Sequence, residues 1–418
     1  MRVAVFHPGT QHSYETALGF QRAGELAWYA TEIFYDPLRF PYRLIRLLPR
    51  ALQDKATAEF RRRYNPHLDP ALVRTFGIWE WIERASMRVG LRRVEHYANE
   101  WGNRRFGSRV GAMAVRDGVE CVWGCDTSSR NAFRIAKAHG IRCVLEQTIG
   151  HPRAWNRILT DEREQMPADF DSYPRPYPEA DLARVDEEIA LADHVCCGSA
   201  FVKSTMSEWG VPGLKVSIIP YGVRAKNFTP ADAPRTDAGL RLLFVGHFGM
   251  RKGAWYLLQA MARLKHLRGL TLTMIGKQTV GARYLAPVAS MIQTLAHTPR
   301  AQMPAIYHAA DVLVLPSLFE GSAGATYEAL ASGLPVITTP NTGSVVRDGV
   351  DGLIVPARDV EALAERIEQL YGDVRLRHAM ATQARERALQ FPWERYQQSC
   401  VRVADLVIGG RGSVGGRL

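Results

Sequence analysis

Short runs of apolar, often β-branched residues recur along this chain from end to end, each followed by a stretch of helical composition. That alternation is the strongest constraint on what the chain can fold into. The runs read RVAVFHP, VECVWG, RCVLEQ, HVCCGS and VSIIPYG in the first half, then RLLFVG, LTLTMIG, DVLVLPS, PVITTP and GLIVP in the second. Strands that are apolar throughout, rather than on alternate residues, are buried on both faces, which is the condition of a parallel sheet flanked by helices. Strand and helix in alternation therefore predict open parallel sheets of the α/β class. At 418 residues the chain is too long for one ordinary core. A break is visible at 221–240, where YGVRAKNFTPADAPRTDAGL is polar and rich in Pro, Asp and Ala before RLLFVG begins a new unit. The expected plan is a Rossmann-like domain over 1–220, a linker over 221–240, a second Rossmann-like domain over 241–392, and a helix with a tail over 393–418.

Ligands of such sheets bind beyond the carboxyl ends of the strands, so the loops there are the places to look for chemistry. After the first strand, HPGTQHS sets Gly9 and Thr10 where backbone amides can meet a phosphate, although one glycine after a strand is a weak signal. After RCVLEQ, the loop TIGHP carries His151, which is either a site residue or a structural histidine. After RLLFVG, the turn HFGMRKG places Arg251 and Lys252 just before the helical AWYLLQAMARL, and two cations beside a helix N-terminus form an anion site. After DVLVLPS comes FEGSAGATYE, with Glu320 in the loop and Glu328 about two turns into the next helix. Between the two acids, Gly321, Ser322, Ala323 and Gly324 are small enough for an anion to approach the free amides of the first helical turn. The plainer alternative is a helix capped by Ser322 with two surface acids.

These residues resemble a family, the retaining glycosyltransferases of GT-B fold in family 4, the glycosyl transferases group 1 class. The carriers are CGSAFVKSTMSEWGVPGLKVSIIPYGV (197–223), FVGHFGMRKG (244–253) and LPSLFEGSAGATYEALASGLPVITTPNTGSVVRDGVDGLIVP (315–356), and the first half matches loosely. The resemblance implies two Rossmann-like domains whose parallel sheets face across an interdomain cleft, with the acceptor on the first domain and a nucleotide-diphosphate sugar on the second. It implies that Glu320 binds the transferred sugar, that 321–324 line the loop around sugar and diphosphate, and that Glu328 holds the ribose diol. The family's Gly-Arg, short loop and Lys-Gly correspond to Gly246, His247, Lys252 and Gly253, so His247 stands where an arginine is usual and Arg251 is the neighbouring cation. The family's first-domain histidine near the reacting carbon corresponds to His151. The terminal helix is expected to cross back onto the first domain. Fixed cations serve the diphosphate, so no metal or other cofactor is expected. The DFD at Asp169–Asp171 imitates the aspartate pair of metal-dependent sugar transferases, but its setting in MPADFDSYPRPYPE reads as a loop.

Charge bears on partners. The chain holds 53 basic and 42 acidic residues, a net charge of +11, and the excess is concentrated where RFPYRLIRLLPR, EFRRRY, IWEWIERASMRVGLRRVEHY and NRRFGSR interleave arginine with aromatic and aliphatic residues. This pattern fits interfacial helices on an anionic membrane surface, and equally helices packed on a sheet with solvated basic faces. Six cysteines lack metal-ligand spacing and fall mostly in strand-like runs, as reduced core thiols do. MRVAVFHPGT is a strand start and no run approaches a membrane span, so a cytoplasmic enzyme, peripheral to the inner face of the membrane, is the expectation. The acceptor is expected to be a sugar or lipid-linked species of the cell envelope. The rivals are a nucleotide-sugar epimerase on the same fold and a non-enzymatic anion or nucleic-acid binder, the latter without any recognition motif. A dinucleotide oxidoreductase is disfavoured because VFHPGT lacks the later glycines of the dinucleotide fingerprint.

Overall fold

The structure is a computed structural model that describes residues 1–9, 12–38, 40, 42–60, 63–76, 92–171, 174–231, 239–295 and 298–410. Thr10, the stretch IWEWIERASMRVGL and part of the expected linker lie outside the described residues.

Two sheets are present, and the described strand pairings are parallel. The first contains β1 (Val3–Phe6), β2 (Leu26–Thr31), β3 (Val73–Thr75), β4 (Cys121–Cys125), β5 (Arg142–Gln147), β6 (His194–Cys197) and β7 (Val216–Ile218), in the order β3-β2-β1-β4-β5-β6-β7. The second contains β8 (Leu240–Val245), β9 (Leu270–Ile275), β10 (Ile292–Leu295), β11 (Val312–Leu315), β12 (Val336–Thr338) and β13 (Gly352–Ile354), in the order β10-β9-β8-β11-β12-β13. All ten strands expected from apolar runs are there. Each sheet reverses its winding once, between β1 and β4 and between β8 and β11, and at such a point the loops after the two neighbouring strands diverge and leave a crevice.

The chain forms two compact units, one of Met1–Glu146, Ala183–Cys196 and Tyr396–Leu418, the other of Gln147–Leu182 and Cys197–Arg395. This division differs from a single cut at 221–240, and packing explains it. The helix Pro152–Gln165 and the turn after it bury Trp155, Ile158, Leu159, Met166 and Phe170 in one apolar cluster with residues of β8, β9 and β11. Polar pins reinforce that attachment: the Tyr256 hydroxyl donates to Glu162 at 2.7 Å, and Arg358 also pairs with Glu162. The terminal helix Trp393–Gly409 enters the first unit at Tyr396. There Tyr396 donates to Glu146, and Gln397 donates to Glu15 at 2.8 Å.

Among the described residues no helix is long and apolar enough to cross a membrane. The six cysteines are free and buried.

Candidate functional site

The site grows from the two loops that flank the β8/β11 switch point. Beyond β8 the chain passes Gly246, makes one 3₁₀ turn over Met250–Lys252, and enters the helix Ala254–Arg263 through Gly253 at φ +75°. A Cβ at Gly253 would collide with the carbonyl oxygen of Pro316, the first residue past β11, so only glycine allows the two loops to touch. Asp171 fixes the start of the turn by accepting from the Met250 amide at 2.8 Å, and Leu318 donates its amide to the Arg251 carbonyl at 2.9 Å. Gly246 has a steric part, since a Cβ there would lie 2.7 Å from Cε of Lys252.

This scaffold drives both cations onto Glu320. Lys252 Nζ lies 2.6 Å and Arg251 Nη1 lies 3.0 Å from the same carboxylate oxygen, Oε1, and Arg251 Nη1 also donates to the Phe319 carbonyl at 3.0 Å. Burial pushes the Glu320 carboxyl up, but Lys252 and then Arg251 outweigh burial and hold it below the usual carboxylate range. Glu320 is thus an anion with two positive partners, and the cluster as a whole carries an excess positive charge. His247 does not add to it: burial is the main cause of its lowered pKa, and its Nε2 meets the Thr279 hydroxyl at 2.7 Å.

The loop after Glu320 is clamped from several sides. Glu320 donates its amide to Asn341 O at 3.1 Å, and Gly321 O accepts from the Ser199 hydroxyl at 2.5 Å. A Cβ on Gly321 would overlap the Thr148 carbonyl oxygen. The helix that follows, Gly324–Ala331, begins with no side-chain cap. Ser322, the candidate cap, instead shares a hydrogen bond with the Tyr327 hydroxyl at 2.9 Å. No side chain caps the first turn; the Thr326 amide donates to the Ala323 carbonyl at 3.0 Å, and an anion can use the amides of Gly324 and Ala325 ahead of it. The helix starts only at Gly324, so Glu328 is one turn in rather than two. Its Oε2 accepts from the Tyr307 hydroxyl at 3.0 Å and its Oε1 from Arg300 Nη2 at 2.5 Å, with the Arg300 side chain largely in solvent.

His151 lies in the same compact unit, buried, at the N-cap of the helix Pro152–Gln165. Its Nδ1 accepts from the Arg153 amide at 3.2 Å, which places the ring proton on Nε2 when the histidine is neutral, and its ring stacks on Trp209. Gly9 belongs to the first unit, where its amide donates to His7 Nδ1 at 3.0 Å. The DFD does not gather its carboxylates. Asp169 pairs with Arg283 and Tyr284, while Asp171 bridges to Val280 and caps Met250. Arg300, Tyr307 and Asn341 were not singled out by sequence, and Asp171 stood out only through the DFD, read as a loop; their contacts with the site come from the tertiary structure.

Residues 239–373, which hold this whole arrangement except the segments around His151, Asp171 and Ser199, match the family model described as Glycosyl transferases group 1. Over these residues the chain is similar to the glycosyl transferases group 1. Among curated relatives it is similar to a D-inositol 3-phosphate glycosyltransferase of Arthrobacter sp. (strain FB24), 32% identical over 199 residues, covering 43% of this chain and 47% of that protein. It is also similar to a glycogen synthase of Mycobacterium tuberculosis, 29% identical over 214 residues, covering 49% and 51%. The chain thus spans about half the length of the curated relatives it matches. Its fold is that of solved glycosyltransferases over nearly the whole length. Sucrose-phosphate synthase from Thermosynechococcus elongatus superimposes with a TM-score of 0.61 at 18% identity, covering 98% of this chain and 100% of that one. Anabaena HepE in complex with UDP-glucose does so with a TM-score of 0.59 at 14% identity, covering 97% and 99%.

Proposed function

We propose that this protein is a group 1 glycosyltransferase that transfers a sugar from a nucleoside-diphosphate sugar to an acceptor hydroxyl, with retention of anomeric configuration. The observation that carries the reading is the convergence of Arg251, Lys252 and Glu320 at the β8/β11 switch point beside an uncapped helix N-terminus. When the bond from the anomeric carbon to the phosphate oxygen breaks, negative charge collects on the leaving diphosphate, and the acceptor oxygen bonds to that carbon. Lys252 and Arg251 meet the charge as prearranged cations, the electrostatic contribution on which group transfer depends most, and they supply what a metal would otherwise supply. Glu320 holds them in place and accepts from a hydroxyl of the transferred sugar, and Glu328 accepts from the ribose diol. The acceptor's proton passes to the departing phosphate oxygen. The acceptor is a sugar or lipid-linked species of the cell envelope, and the six buried free thiols suit a reducing cytoplasm.

HepE was solved with UDP-glucose, which makes uridine donors the first to try. A panel of nucleotide sugars measured by thermal unfolding should contain one that stabilises the full chain, by about 2.7 kcal/mol at a hundred times its Kd. A flat response across the panel would remove the donor site. Isomerisation of the stabilising compound with no acceptor present would instead make the protein an epimerase.

For His151 the reading assigns a hydrogen bond from Nε2 to the reacting sugar in addition to the helix cap. Asparagine caps helices well, so His151→Asn should keep the unfolding temperature within a few degrees while turnover falls by about a hundredfold. Turnover near that of the parent would leave His151 as a cap alone.

A further inference from the structure

The first unit carries an apolar surface that the proposed reaction does not use. Leu38, Phe40, Leu44, Leu47, Leu48 and Leu52 are all exposed, Leu47 at 80%, within fifteen residues of chain. Over the rest of the described residues, large exposed apolar side chains are spaced more widely along the chain, the densest group being Trp209, Leu214 and Ile218, as on most protein surfaces. The segment comprises the 3₁₀ turn Tyr42–Leu47, which has no buried residue, and the start of the helix Arg50–Phe60. It is not a loose excursion. The Tyr42 ring packs edge-on against Tyr35 and Phe60, and Tyr35 stacks on Phe60, so aromatic rings hold the segment at both ends. Tyr35, Tyr42 and Phe60 turn toward one another, and Phe40 and the leucines are left outside.

Charge says what covers them. From residue 37 to residue 53 the sequence contains Arg39, Arg43, Arg46 and Arg50 and no acidic residue. Arg43, Arg46 and Arg50 are exposed among the leucines. A protein partner that buried this face would have to desolvate three guanidinium groups or pair each with an acid. At a bilayer the long arginine side chains instead reach phosphate while the leucines enter the acyl boundary. We infer that this segment docks the protein on an anionic membrane surface, with Leu44, Leu47 and Leu48 inserted and Arg43, Arg46 and Arg50 on lipid phosphates. The inference depends on this surface alone and is independent of the reaction.

Sedimentation of the full chain with vesicles tests it. Vesicles containing phosphatidylglycerol should carry the protein down, pure phosphatidylcholine vesicles should not, and added salt should release it. Leu47→Asp with Leu48→Asp should weaken binding at least about tenfold through lost apolar burial. Arg43→Gln, Arg46→Gln and Arg50→Gln together should weaken it by about a hundredfold, at roughly fivefold per arginine near an anionic surface. All of these side chains are exposed, so both variants should unfold at the parent temperature. Equal binding to the two lipids, binding to neither, or leucine variants that bind as the parent does would each overturn the proposal. A concentration-dependent dimer that Leu47→Asp dissolves, in protein that ignores vesicles, would assign the face to a second copy of the chain.

Discussion

Lys252→Ala is expected to lower turnover by about a hundred- to a thousandfold at saturating donor, the usual consequence of removing one preorganised group that faces developing charge. The geometry also predicts a second symptom. Lys252 Nζ is the nearer of the two cations on the buried Glu320, so its loss leaves a buried carboxylate with Arg251 alone, and stability should fall as well. Initial rates with donor in excess, measured beside the unfolding temperature, separate the two. Arginine at this position keeps the charge but not the reach under Gly246, where the lysine chain is closely fitted, so Lys252→Arg should recover stability better than rate. A loss of turnover below about tenfold in the alanine variant would show that charge on the leaving group is met elsewhere.

The second large effect divides the glutamates. UDP contains a ribose diol and a diphosphate but no transferred sugar, so Glu328→Ala should weaken UDP binding by about 1.5 to 3 kcal/mol, the range for hydrogen bonds to a charged group. Glu320→Ala should not weaken it. Removing that carboxylate releases Arg251 and Lys252 from their present partner, and UDP affinity should hold or rise while turnover with the complete donor collapses. Such a pattern, tighter product binding with slower chemistry, is what removal of a group acting on the transferred sugar predicts. Calorimetry with UDP decides it. Equal losses for the two variants would refute the division of roles, and no loss for either would move the donor away from these residues.

Much of the architecture was legible because its signals are local. DVLVLPS and RLLFVG are apolar throughout and could only be strands buried on both faces, which made the parallel α/β class readable before any contact was known. Three strands escaped that reading. β3 (Val73–Thr75) and β10 (Ile292–Leu295) are short edge strands with exposed residues, and β2, LAWYAT, owes its burial to its neighbours rather than to a run of branched side chains. The terminal helix was visible as a helix. Its attachment through Tyr396 and Gln397 depends on Glu146 and Glu15, 250 and 382 residues earlier in the chain.

The candidate site divides along the same line. Glu320, the small residues after it and Glu328 lie within one strand–loop–helix unit, so composition and spacing alone set them at a strand's carboxyl end. Arg251 and Lys252 were likewise readable as an anion site beside a helix start. That both cations close on one oxygen of Glu320, that Ser322 turns to Tyr327 and leaves the helix uncapped, and that Tyr307 and Arg300 hold Glu328 were settled only by the tertiary structure. Side-chain periodicity and turn chemistry act over a few residues and can be read in order. Which loops meet is decided by the order of strands in the sheet, and β8 beside β11 is a pairing across a long stretch of intervening chain that only burial of the whole apolar set selects.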